Sequence, residues 1–119
     1  MPRELIFLVS APPPEAGIEA GVPVRMKATN SGGKDPLVAF ASEELGRQLI
    51  AGRPVNGHVS LLPFSKLATD EAKNAKKRSI LLFERPEQIA GYLEEGPQFN
   101  FLQLMVSFKD AVHKLQSAL

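Results

Sequence analysis

Leu37-Val38-Ala39-Phe40-Ala41-Ser42-Glu43-Glu44-Leu45-Gly46-Arg47-Gln48-Leu49-Ile50-Ala51-Gly52 is the stretch that decides the fold, because its pattern returns as Ile80-Leu81-Leu82-Phe83-Glu84-Arg85-Pro86-Glu87-Gln88-Ile89-Ala90-Gly91-Tyr92-Leu93-Glu94-Glu95-Gly96. Each copy opens with an apolar run ending in Phe, turns sharply through polar residues, continues with helical spacing and stops at Gly. In the first copy the Ser42 hydroxyl suits an N-cap, since it can take an orphan backbone N–H. Glu43 and Glu44 then lie in the first turn, where the helix macrodipole favours anions. Leu45, Leu49 and Ile50 supply the buried stripe. In the second copy Pro86 suits the first helical position, where a missing N–H costs nothing. Ile89 and Leu93 repeat the i, i+4 spacing, and Gly96-Pro97 ends the helix.

Working outward, Leu5-Ile6-Phe7-Leu8-Val9 reads as a strand buried on both faces. The Pro12-Pro13-Pro14 loop follows it. Residues 22–29 alternate, with Val22, Val24, Met26 and Ala28 on one side and Arg25, Lys27 and Thr29 on the other, which predicts a half-exposed strand. Asn56-Gly57 is a turn before a strand over 58–62. Residues 69–78 read as a short helix whose acid-to-base order suits the macrodipole. Residues 98–119 carry Phe101, Leu104, Met105, Phe108, Val112, Leu115 and Leu119 at helical spacing, which predicts one long amphipathic helix. The expected fold class is α+β (α/β): a mixed five-stranded sheet covered by helices, with a repeated strand-helix unit and a long C-terminal helix, in a single domain spanning 1–119.

Composition bounds the function. With 14 basic and 13 acidic side chains the formal charge is +1, so no global field draws the chain to nucleic acid or to an anionic membrane. The absence of Cys excludes disulfides and thiolate metal ligands. The short apolar run at Leu5 is interrupted at once by proline and does not read as an export signal. No run approaches the ~20 apolar residues of a membrane helix. A cytoplasmic location is expected, without membrane contact.

Few residues suggest chemistry. His58 and His113 are far apart in sequence and neither has a neighbour at ligand spacing, so no metal and no cofactor is expected. No Ser sits in a Gly-rich elbow. Ser31-Gly32-Gly33-Lys34 is followed by Asp35-Pro36 and a strand, which is not the context of a phosphate loop. Glu43, Glu44, Glu84, Glu94 and Glu95 read as solvated helix-end carboxylates. Lys73, Lys76, Lys77 and Arg78 form a dense basic patch, but without interleaved aromatics nucleic acid is disfavoured. The segment 99–108 is richer in large apolar residues than one helix face requires. Either it is buried on two sides, or Phe99, Phe101, Leu104, Met105 and Phe108 meet another protein.

The run from Phe40 through Ala41-Ser42-Glu43-Glu44-Leu45 to Gly52 resembles the N-terminal domain of the bacterial SseB-like proteins, named for enhanced serine sensitivity. That family sets a short strand and a Phe-Thr-Ser-like turn before an acidic helix, with Ala41 here where the family often has Thr. The second copy, from Phe83 to Gly96, is compatible with it, so the resemblance covers about residues 5–96. It implies a small α+β module of the bacterial cytoplasm with no established catalytic machinery, and no functional residue carries over. The expected function is a non-enzymatic interaction module that binds a protein partner or forms a homodimer through the apolar C-terminal helix. The alternative is a small-molecule binding or enzymatic domain that uses the loops after the repeat strands, with Lys34, Ser42 and Arg85 as its polar groups.

Overall fold

The computed structural model describes residues 4–11, 15, 17, 20–25, 35–52, 58–96 and 99–117. The elements are β1 (Ile6–Ser10), β2 (Leu37–Phe40), α1 (Glu43–Gly52), β3 (Val59–Pro63), α2 (Thr69–Lys76), β4 (Ser79–Phe83), α3 (Pro86–Glu95), β5 (Met105–Ser107) and α4 (Phe108–Ser117). Short 3-10 turns at Phe64–Lys66 and Phe101–Leu104 precede α2 and β5.

The five strands form one mixed sheet in the order β3-β1-β2-β4-β5. The two repeat strands lie side by side in parallel, with Leu37 opposite Ile80 and Phe40 opposite Phe83. The other pairings are antiparallel. Each residue of β2 is buried, as are Ile80 to Phe83 of β4. That is what continuous apolar runs require when both faces of a sheet are covered. Alternation along the strands splits the interior into two cores. Phe7, Val9, Leu37, Ala39, Ile80 and Leu82 pack with Ala75 of α2 and with Ala111 and Leu115 of α4. Leu8, Val38, Phe40, Leu81 and Phe83 pack with Leu45 and Leu49 of α1 and with Ile89 and Tyr92 of α3. The result is a sheet between two helical layers, the mixed α+β architecture expected from the repeat.

The fifth strand is not the one expected. Residues 22–25 make only isolated bridges, Val9 with Pro23 and Arg25 with Leu37, wedged where β1 and β2 diverge. Pro23 has no N–H to give a ladder. Residues 26–29 lie outside the described residues. The sheet is completed by Met105–Ser107, which corrects the single helix expected over 98–119. The physical reason is burial on two faces. Met105 packs toward the second core and Val106 toward the first, and only a strand sends adjacent side chains to opposite faces. The helix begins at Phe108, where the Ser107 Oγ accepts the Asp110 N–H at 3.1 Å.

Candidate functional site

The carboxyl ends of β2 and β4 and the amino end of β1 meet at one edge of the sheet. Ile6 stands opposite both Phe40 and Pro63, and the Phe40 and Phe83 rings stack at 5.6 Å in the second core. From β2 the chain runs through α1 to β3 at one border of the sheet, and from β4 it runs through α3 to β5 at the other. Neighbouring parallel strands whose connections depart in opposite directions leave a crevice outside their carboxyl ends. Here it has a volume of about 490 Å³ and is lined by Glu4, Ile6, Ala41, Ser42, Leu45, Pro63 and Glu84.

Its polar groups are tied down by local chemistry. The Ser42 Oγ accepts the Leu45 N–H at 3.4 Å and so caps α1, as the sequence predicts. Glu4 clamps the turn after β3: its carboxylate accepts the Ser65 N–H at 2.7 Å and the Ser65 hydroxyl at 3.1 Å. Glu84 faces Lys114 of α4 at 3.5 Å across the sheet end. At α3 the Gln88 Oε1 reaches back and accepts both the Glu84 N–H at 2.7 Å and the Arg85 N–H at 3.0 Å. The crevice therefore offers two carboxylates and a hydroxyl. Among the described residues that line it there is no histidine beside Ser42. Among the described residues no group of three or more His, Cys, Asp or Glu is placed to hold a metal ion.

Of the expected ligand loop, Ser42 lines the crevice, Arg85 is exposed at the start of α3 with Glu84 taking its place in the wall, and Lys34 lies outside the described residues. Glu4 and Pro63 were missed because they reach the site only through the antiparallel pairing of β1 with β2 and β3, for which no local motif exists.

The C-terminal apolar residues do not share one stripe. Phe99 is 8% exposed and Leu104 3%, and both belong to the second core. Phe101 and Met105 are half-buried on that side, whereas Phe108 is half-buried against the first core. Phe99, Phe101 and Tyr92 form an aromatic triangle with ring centroids 5.2–6.0 Å apart. The basic patch divides as well. Arg78 donates from Nη1 to the Asp35 carbonyl at 3.0 Å, and the Lys76 Nζ stands 5.8 Å from the centre of the Phe64 ring. Lys73 and Lys77 are exposed.

Among the described residues no helix is long and apolar enough to cross a membrane. Comparison with known proteins returns no match: no family model, no curated protein and no solved structure is significantly similar to this chain.

Proposed function

We propose that this chain is a non-enzymatic protein-interaction module of the bacterial cytoplasm, of the SseB-like kind that residues 5–96 resemble, and that it binds a partner or a second copy of itself through its apolar C-terminal segment. The observation that carries the reading is the position of β5. Among the described residues it is a border strand paired with β4 alone, and Phe101, Met105, Val106 and Phe108 around it stay half-buried on both sides of the sheet. A border strand with apolar flanks is suited to adding a strand from another chain. Light scattering on the purified protein tests it, with Met105→Lys as the variant and circular dichroism as the check of folding. The reading expects a dimer that Met105→Lys dissociates, or a protein retained from host extract by the wild type and lost with the variant. A monomer that retains nothing, or equal behaviour of the two proteins, overturns it.

A second reading rests on the crevice, because its size and its place outside the carboxyl ends of parallel strands whose connections diverge are those of small-ligand sites. It expects a saturable rise in melting temperature with one class in a metabolite panel, reduced by Glu84→Gln. A flat panel counts against it.

A further inference from the structure

The near-neutral net charge conceals a separation of charge across the sheet. On one side, α1 and α3 carry Glu43, Glu44, Glu87, Glu94 and Glu95, all exposed, against Arg47 and Arg85. On the other, the turn before α2, α2 itself and the residue after it carry exposed Lys66, Lys73, Lys76 and Lys77 against Asp70 and Glu71. α4, in the same layer, adds Lys109 and Lys114 against Asp110. Among the described residues one charge of this inventory is spent across the sheet, in the contact of Lys114 with Glu84.

The basic side also holds a groove. Leu5, Phe64, Phe108, Val112 and Leu115 line about 250 Å³ between the Phe64–Lys66 turn and α4, with Glu4 at one end and Lys76 over the Phe64 ring. The acidic side presents an apolar residue among its carboxylates: Leu93 is half-buried at the end of α3, next to exposed Glu94 and Glu95. The two sides are thus complementary in sign, and each combines charge with apolar surface.

We infer that the basic α2/α4 side of one molecule docks the acidic α1/α3 side of a second copy. Because the two surfaces are different the contact is heterologous, and because they lie on opposite faces of the sheet successive copies stack in line, with one free surface of each kind at the ends of the stack. It grows with concentration instead of closing at a dimer. Exposed charges carry it, so salt dissolves it.

Sedimentation velocity over a wide concentration range tests the inference at about 0.01 M ionic strength, where the Debye length is about 30 Å, and at about 1 M, where it is about 3 Å. The expected result is a mass that climbs with concentration at low salt without a plateau and stays at 12.9 kDa at high salt. The double variants Lys73→Glu with Lys77→Glu, and Glu94→Lys with Glu95→Lys, are each expected to remain monomeric at low salt. All four substitutions in one chain leave the net charge unchanged and exchange the signs of the two sides, so association is expected to return. Circular dichroism establishes that each variant folds, which these exposed positions favour. A wild type that stays at 12.9 kDa at both salt concentrations overturns the inference, even where it binds a polyanion such as heparin. So does a four-fold variant that remains monomeric. A dimer that plateaus, ignores salt and is lost with Met105→Lys belongs to the border-strand reading and overturns this one.

Discussion

Two aromatic residues join the two copies of the repeat. Phe40 and Phe83 are both fully buried, adjacent in register, and stacked with their planes 20° apart. They belong to the second core. Phe83→Ala is expected to cost about 3–5 kcal/mol, the usual range for emptying a buried Phe site, measured by urea unfolding. Ser107 acts at the other extreme of size. Its Oγ accepts the Asp110 N–H at 3.1 Å, so it separates strand from helix with a single hydrogen bond. Ser107→Ala is expected to cost about 1 kcal/mol and Ser107→Asp to retain most of the stability. A neutral Ser107→Ala would mean that α4 does not start there. Ser107-Phe108-Lys109-Asp110 has the spacing of a helix start. The apolar residues on either side of it also fit a continuous helical stripe, and that longer pattern masked it.

Among the elements, the repeat units were the most legible, because their caps, stripes and stops agree with one another. Ser42, Pro86 and Gly96 do what their residue types suggest, and Gly96 takes a φ of 61°, which a side chain would disfavour. Residues 99–108 were not legible in the same way. Their apolar density satisfies helical and alternating periods alike, and what chooses between them is that β4 has an open border with a core on each side. Nor was the crevice wall complete in the sequence, since Glu4 arrives from the start of the chain through strand pairing. Close packing of α1 on β3 was equally hidden. A Cβ built on Gly46 would stand 2.5 Å from the Leu61 side chain, so a larger residue there must displace Leu61 for the helix to stay this close. Gly46→Val is expected to destabilise by about 1–3 kcal/mol, the range for overpacking. Urea unfolding measures it, and Leu61→Ala in the same chain is expected to recover part of the loss. A neutral Gly46→Val would place α1 farther from β3.

The whole molecule has two cores and one sheet, and the question of scale is whether they stand or fall together. β2 and β4 contribute to both cores with alternate residues: Leu37 and Ala39 to one and Val38 and Phe40 to the other, and likewise Ile80 and Leu82 against Leu81 and Phe83. Losing the α2/α4 layer would expose Ile80 and Leu82, whose backbone also holds Leu81 and Phe83 in register. The central strands are therefore shared by both interiors, and neither helical layer has a sheet of its own to stay on. One cooperative transition is expected. The chain supplies a probe for this, since it has one Tyr and no Trp, and that tyrosine, Tyr92, is 6% exposed in the second core. Tyrosine fluorescence thus reports one core while far-ultraviolet circular dichroism reports all helices. The two urea curves are expected to coincide in the wild type. Leu115→Ala, in the first core on the far side of the sheet, is expected to cost about 2–5 kcal/mol and to move the Tyr92 curve by the same amount as the dichroism curve. A Tyr92 transition left in place while the dichroism shifts would show that the layers melt separately, and the coupling through β2 and β4 would then be wrong.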